Sequence, residues 1–157
     1  MIVALVPAAG RSRRMGRPKL LLPVDGKPMV TRVVDALLEA GVGQLRVVVP
    51  PAARELREAL AGRPVRFIVN PQPESAMLDS IRCGLAELPP GCRGVLVTPA
   101  DIPGITPPLL RRLIRAFESA PAEKSLFVPV ARGRRGHPLI FSAVHVPEVL
   151  AGLDDTG

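Results

Sequence analysis

The segment "MIVALVPAAGRSRRMGRPK", residues 1–19, joins an apolar run to a cluster of small and cationic residues. Residues Ile2–Val6 are apolar on both faces, as expected of a strand inside a parallel sheet that is covered on both sides. No acidic residue precedes Asp25, and five cations follow the run: Arg11, Arg13, Arg14, Arg17 and Lys19. The segment therefore predicts a buried strand that opens into a positively charged loop.

Similar apolar runs recur along the chain, with helical periodicity between them. Further strands are predicted at Leu45–Val49, Val65–Val69, Val95–Thr98, Leu126–Val130 and Pro138–Phe141. Helices are predicted within residues 28–41, 52–62, 76–88 and 108–120. This alternation predicts an α/β fold, an open, mostly parallel, Rossmann-like sheet with helices on both faces, and a single domain over residues 1–157.

Charge is concentrated in one place. The net charge is +7, of which residues 1–24 contribute +5, residues 25–110 nothing and residues 111–157 +2. A nucleic-acid interface would spread its charge along a face and, for single strands, interleave aromatic side chains, and neither pattern is present. We therefore expect no nucleic-acid partner, and a compact polyanion such as a nucleotide triphosphate instead.

Cellular location is predicted from what the chain does not contain. Its two cysteines, Cys83 and Cys92, have neither metal-site spacing nor the pattern of a disulfide framework. No apolar stretch approaches the roughly 20 residues of a membrane span, and the first charges follow the apolar run instead of preceding it as in a signal peptide. These features predict a cytoplasmic protein without membrane contact.

Three loops should share one edge of the sheet, because the carboxyl ends of parallel strands meet there. They are Pro7–Lys19, Asn70–Ser75 and Pro99–Gly104. In the first, the backbone of Ala8, Ala9 and Gly10 can approach an anion closely. The spacing matches neither a P-loop nor a dinucleotide-binding fingerprint. From the residues alone, a solvated basic loop is the alternative.

Asp101 follows a predicted buried strand and is flanked by Pro99 and Pro103, which stiffen the turn. Mg²⁺ sites commonly combine one or two carboxylates with substrate phosphates, so Asp101 is a candidate metal ligand. A helix-capping or turn aspartate is the alternative.

Residues 7–30, "PAAGRSRRMGRPKLLLPVDGKPMV", resemble the signature of the MobA-like nucleotidyltransferases. The matching positions are Gly10, Ser12, Arg14, Met15, Gly16, Lys19, Gly26 and Pro28. The resemblance implies that the first loop surrounds an NTP, with nucleotide-binding residues Ala8, Ala9, Gly10, Arg11, Ser12, Arg14 and Lys19. It also implies catalytic roles for Arg14, Lys19 and Asp101, with Asp101 holding Mg²⁺ as cofactor.

Two later segments extend the resemblance. In "NPQPESAMLDSIRCGL", residues 70–85, Asn70 and Ser80 are predicted to contact the base or ribose, although Ala76 replaces the usual Gly and Ser80 could be a helix-surface serine. In "ARGRRGHPLIFS", residues 131–142, Gly136, His137 and Pro138 resemble the acceptor-side motif of the family. Arg135, Gly136 and His137 are therefore predicted to bind the acceptor, whose phosphate suits arginine.

The function that the resemblance implies is transfer of a nucleoside monophosphate from an NTP to a phosphate acceptor, with release of pyrophosphate. CTP is favoured over GTP and molybdopterin is the favoured acceptor, with transient contact to a molybdoenzyme as a further expectation. A sugar phosphate or methylerythritol phosphate acceptor is the alternative within the class. A non-catalytic nucleotide- or pterin-binding module is the alternative outside it. The family continues for some tens of residues past the matched motifs, so a C-terminal segment with a further metal-binding aspartate is expected to be lacking.

Overall fold

The computed structural model describes residues 1–9, 18–72 and 76–152. Its strands are β1 (Ile2–Pro7), β2 (Pro23–Val24), β3 (Lys27–Pro28), β4 (Leu45–Val49), β5 (Val65–Val69), β6 (Gly94–Val97), β7 (Leu126–Phe127), β8 (Val130–Ala131), β9 (Arg134–Arg135) and β10 (Leu139–Ser142). Its α-helices are α1 (Met29–Glu39), α2 (Arg54–Ala59), α3 (Met77–Ala86), α4 (Pro107–Glu118) and α5 (Val146–Gly152). Two 3₁₀ turns cover Lys19–Leu21 and Ala143–His145.

One six-stranded sheet organises the described part of the chain, in the order β5-β4-β1-β6-β10-β7. Strands β5, β4, β1 and β6 pair in parallel, whereas β10 is antiparallel to both β6 and β7. The predicted α/β class and the mostly parallel sheet are confirmed.

The two faces of the sheet carry separate apolar clusters, because successive side chains of a strand point to opposite faces. In β1, Ala4 and Val6 pack with α1, α2 and α4, while Val3 and Leu5 pack with α3 and α5. All four side chains are fully buried. A shift of one residue in the pairing of β1 would exchange the two sets, so burial on both faces fixes its register.

Helix α1 follows directly from its apolar spacing. Val30, Val33, Val34 and Leu37 are buried and recur at the i, i+3, i+4, i+7 spacing of one helix face. The helix is followed by Gly41, whose φ of +91° suits glycine. The amide N–H of Val42 donates to the Leu37 carbonyl at 3.1 Å, which closes the end of the helix.

The strand predicted at Leu126–Val130 is instead divided between two sheets. Leu126–Phe127 forms β7 at the edge of the main sheet, and Val130–Ala131 forms β8, which pairs with β9 in a separate hairpin. Pro129 lies between them and has no backbone N–H to donate to a ladder, so a continuous strand is disfavoured there.

Four further elements were not predicted: the β2–β3 hairpin, the 3₁₀ turns at Lys19–Leu21 and Ala143–His145, and α5. The hairpin turns at Asp25 and Gly26, whose φ values of +48° and +80° are those of a tight two-residue loop. An Asp-Gly pair is the sequence signal for such a turn. None of the helices in the described ranges is long and apolar enough to cross a lipid bilayer.

Candidate functional site

A crevice is expected between the carboxyl ends of β1 and β6, which are neighbours at the centre of the sheet. From β1 the chain continues through α1 to β4 on one side, and from β6 it continues through α4 toward β7 and β10 on the other. Where successive connections diverge in this way, an open α/β sheet leaves room for a ligand. The site is therefore built from the loops that follow β1 and β6.

The loop after β6 is fastened to the end of β1. Thr98 donates its amide N–H to the Leu5 carbonyl at 3.1 Å, and Ala100 donates to the Pro7 carbonyl at 3.2 Å. Thr98 and Ala100 are buried, whereas the next residue, Asp101, is exposed. The backbone thus places Asp101 at the carboxyl ends of β1 and β6, where the crevice is expected.

Lys19 reaches the same place from the other loop. It opens a 3₁₀ turn whose second residue, Leu20, is buried in the core, and this burial anchors the turn. The Lys19 ammonium Nζ donates to Asp101 Oδ2 at 3.0 Å. The two side chains are 49% and 43% exposed, so this ion pair faces solvent. The structure therefore brings together two of the predicted catalytic residues, which lie 82 positions apart.

The site fits a divalent cation that is shared with a substrate. Asp101 offers one half-exposed carboxylate, and no group of three or more His, Cys, Asp or Glu side chains suitable for a metal occurs in the residues that the structure describes. Mg²⁺ is commonly held by one or two carboxylates together with substrate phosphates, rather than by a cage of protein ligands. Asp101 would then be the protein ligand, with phosphate oxygens supplying the others.

The predicted phosphate loop is described only in part. Ala8 and Ala9 are 4% and 5% exposed, and the Ala8 amide donates to the Val48 carbonyl at 2.7 Å. That amide therefore continues the pairing of β1 with β4, and it could contact a phosphate only if this bond were broken. The remaining predicted residues of the loop lie outside the described residues: Gly10, Arg11, Ser12 and Arg14.

Asn70 and Ser80 are placed against each other just beyond the end of β5. They are only 1% and 4% exposed, and Asn70 Nδ2 donates to the Ser80 hydroxyl at 3.1 Å. Asn70 Oδ1 also accepts from the amide of Gln72 at 2.9 Å. This burial excludes the helix-surface alternative for Ser80. The geometry gives both residues a positioning role, tying the end of β5 to α3, and their contact with a nucleotide stays a prediction.

The basic segment predicted to meet the acceptor forms the β8–β9 hairpin. Its two-residue loop is Arg132 and Gly133, with φ values of +50° and +74°. Gly136 closes the base of the hairpin by donating its amide to the Pro129 carbonyl at 3.1 Å. The arginines of this hairpin are exposed, so they are accessible to an anion.

His137 connects this hairpin to β10. Its ring is partly buried, and its Nδ1 atom is buried without a hydrogen-bond partner among the described residues. Leu139 lies opposite Val97, the last residue of β6, so the chain just before Leu139 lies at the same end of β6 as Asp101. Two of the predicted segments, the acceptor motif and the metal loop, therefore lie at one edge of the sheet.

The family is established by comparison with known proteins. The model of the MobA-like NTP transferase domain matches residues 4–157, which is nearly the whole chain. The chain belongs to this family. The predicted family membership is confirmed, and the closer resemblance to molybdopterin cytidylyltransferases stays a prediction.

Curated members of related families align over most of this chain. A 2-C-methyl-D-erythritol 4-phosphate cytidylyltransferase of Nocardia farcinica is 41% identical over 115 residues, covering 69% of this chain and 47% of the relative. The bifunctional protein GlmU of Sorangium cellulosum is 34% identical over 127 residues, covering 76% of this chain and 27% of the relative. The chain thus spans half or less of the length of these two relatives.

Solved structures agree with the fold. The Mycobacterium tuberculosis protein Rv0371c superimposes with a TM-score of 0.86 at 30% identity, covering 99% of this chain and 78% of that one. A manganese complex of Rv0371C gives a TM-score of 0.81. A nucleotidyl transferase of Methanothermobacter gives 0.81 at 32% identity, covering 98% of this chain and 77% of its own.

Proposed function

We propose that the protein transfers a nucleoside monophosphate, preferably CMP, from an NTP to a phosphate on an acceptor and releases pyrophosphate. The observation that carries the proposal is the meeting of Lys19 and Asp101, 3.0 Å apart, at the carboxyl ends of β1 and β6. The half-exposed Lys19 ammonium suits a triphosphate, and the half-exposed Asp101 carboxylate suits a divalent cation. Membership of the MobA-like NTP transferase family supports the same reaction.

The roles of the two residues follow from their charges. Lys19 neutralises phosphate oxygens, while Asp101 would hold Mg²⁺ against the nucleotide. Mg²⁺, when bound, supplies positive charge that stabilises the transferred phosphoryl group. The side chains form no covalent intermediate, because transfer of this kind depends on positioning and on charge stabilisation. By family resemblance, Arg14 and the backbone of Ala9 and Gly10 complete the triphosphate site, and the Ala8 amide contributes only if its bond to the Val48 carbonyl is broken.

The proposed acceptor follows from the resemblance of the segment around His137. The Gly136-His137-Pro138 sequence resembles the acceptor-side motif of molybdopterin nucleotidyltransferases, so we propose molybdopterin as acceptor. The exposed Arg135 guanidinium is suited to the acceptor phosphate, and the partly buried His137 lies two residues further along the chain. Contact with a molybdoenzyme that receives the product is part of this proposal.

A second acceptor has support of its own. The 41% identical Nocardia relative is named for 2-C-methyl-D-erythritol 4-phosphate, which favours this acceptor for the present chain as well. Both candidates carry a phosphate, so the basic hairpin fits either of them. The two acceptors differ in the group that carries the phosphate, so measuring turnover with each of them distinguishes the two assignments.

The test is pyrophosphate release with each of the four NTPs, combined with molybdopterin, 2-C-methyl-D-erythritol 4-phosphate or a sugar 1-phosphate, in the presence of Mg²⁺. Release with CTP and molybdopterin supports the proposed acceptor, and release only with the methylerythritol phosphate replaces it with the second candidate. NTP binding without release in any combination would contradict transfer and favour the non-catalytic binding module. Asp101→Asn, measured in parallel, controls for a contaminating activity.

A further inference from the structure

The Lys19–Asp101 ion pair joins two groups that need different partners during the proposed reaction. Lys19 Nζ lies 3.0 Å from Asp101 Oδ2. On the proposed function, Lys19 must turn to phosphate oxygens and Asp101 to a metal ion. Binding of nucleotide therefore requires that the two side chains separate.

We propose that Asp101 has a second role, which is to discriminate against triphosphates that carry no metal. The inference rests on the proposed function of this site. When a metal-free triphosphate binds Lys19, the Asp101 carboxylate loses its ion-pair partner. It then lies close to the negative charge of the triphosphate, and the repulsion weakens binding. A nucleotide that brings a divalent cation gives Asp101 a new partner as Lys19 leaves. The pair thus opposes the metal-free ligand and not the metal-loaded one.

The pair has the features of an exchangeable contact. Lys19 makes a single hydrogen bond to one oxygen of Asp101, and both side chains are close to half exposed. By contrast, Arg63 donates to both oxygens of Asp35, at 2.6 and 3.2 Å, and these side chains are only 25% and 31% exposed. Exposed ion pairs contribute little to folding, so separating Lys19 from Asp101 leaves the fold intact.

The experiment measures the affinity for inorganic triphosphate in EDTA by calorimetry, so that neither a metal nor a nucleobase contributes. Asp101→Asn is expected to bind triphosphate more tightly than the wild type, with about a two- to fivefold gain from release of Lys19 alone. Glu87→Gln is the matched control. Glu87 pairs with Arg66 at 2.7 Å and is also 43% exposed, but Arg66 lies near the amino end of β5, away from the crevice.

Asp101→Asn could tighten triphosphate binding either by releasing Lys19 or by removing a negative charge that repels the triphosphate. A double-mutant cycle with Lys19→Ala distinguishes these two causes. Lys19→Ala should weaken triphosphate binding about two- to fivefold more in the Asp101→Asn background than in the wild type. Equal losses in the two backgrounds, or no gain in Asp101→Asn, would overturn the inference. Thermal melting of each variant checks that all of them fold.

Failure of this inference can be distinguished from failure of the proposed function. If the cycle shows the expected coupling but no NTP and acceptor release pyrophosphate, the proposed function is wrong and the role of Asp101 toward triphosphate stands. If the wild type turns over but the cycle is additive, the discrimination alone is wrong.

Discussion

Leu139 on β10 lies opposite Val97 on β6 in antiparallel register. Because β6 runs parallel to β1, the chain that precedes Leu139 reaches the sheet at the edge where β1 and β6 end. This register sets the Gly136-His137-Pro138 segment on the same edge as Asp101. A nucleotide held at the central crevice and an acceptor held by the basic hairpin would therefore approach each other without rearrangement of the sheet.

Asp101→Asn should lower Mg²⁺-dependent pyrophosphate release by several orders of magnitude, because an amide is a poor replacement for the carboxylate that we propose as the metal ligand. Circular dichroism should show an unchanged fold, since the side chain is half exposed. Glu87→Gln should keep wild-type turnover. Near-normal activity of Asp101→Asn with Mg²⁺ would show that another group holds the metal.

Binding of CTP should be tighter than binding of GTP. This chain has Ala8, Ala9 and Gly10 where family members that use GTP resemble Ala-Gly-Gly, so we expect the methyl group of Ala9 to disfavour a purine base. Calorimetric titration of both nucleotides with Mg²⁺ measures the preference, and Ala9→Gly should reduce it. Tighter binding of GTP by the wild type would contradict this assignment.

Asn70→Ala should destabilise the protein whether or not a nucleotide is present. The substitution removes the bond that Asn70 Nδ2 donates to the Ser80 hydroxyl and the bond that Asn70 Oδ1 accepts from the Gln72 amide, at a site that is 1% exposed. Loss of buried hydrogen bonds costs about 1–3 kcal/mol, which urea denaturation resolves. Ser80→Ala, which removes only the first bond, should cost less. Unchanged stability with weaker CTP binding would instead identify Asn70 as a direct ligand.

Gly94→Ala should also be destabilising, for a steric reason. A β-carbon at residue 94 would lie 2.6 Å from two ring atoms of Phe117, whose ring packs edge-on against Phe127. Forcing extra volume into a packed core costs about 1–3 kcal/mol. Gly104→Ala is the control, since no atom of the described residues, apart from Gly104 and its chain neighbours, lies within 4 Å of its β-carbon position. Equal free energies of unfolding for the two variants would contradict the predicted clash.

Asp35→Asn should change the pH dependence of stability. Hydrogen bonds from Arg63 lower the pKa of Asp35, although burial acts in the opposite direction. A carboxylate with a lowered pKa stabilises the fold above its unfolded pKa of about 3.9, and this contribution is lost as the pH falls through the folded value. The wild type should therefore exceed Asp35→Asn in stability at pH 7, and the difference should shrink below about pH 4. Equal differences at pH 7 and pH 3 would exclude this linkage.

The parallel half of the sheet could be predicted from the sequence because its strands are determined locally. Leu45–Val49 is apolar except for Arg46, and the observed β4 has the same bounds as the prediction. The end of the sheet that contains β7 and β10 could not be predicted in the same way. The direction of β10 depends on pairing with β6, and the break after Phe127 depends on Pro129, which lies inside an otherwise apolar run.

The candidate site shows the same division. Lys19 and Asp101 were identified singly from their surroundings in the sequence, but their contact depends on the neighbouring positions of β1 and β6 in the sheet. The burial of Asn70 and Ser80 was missed because short polar side chains look alike in sequence whether they meet a ligand or each other. The available signal was that Asn70 directly follows a strand and Ser80 lies in the first turns of the next helix, which allows the two side chains to meet.

The hairpin between β7 and β10 has a consequence for how such proteins diversify. The chain leaves the sheet at Phe127 and returns at Leu139, and Ile140 pairs back onto Phe127, so the intervening residues form a closed excursion. We expect that the segment 128–138 can be replaced as a unit while the order and register of the six strands stay the same. Replacing residues 128–138 with those of a relative that uses a different acceptor should therefore change the acceptor preference. The preference for the NTP should stay the same.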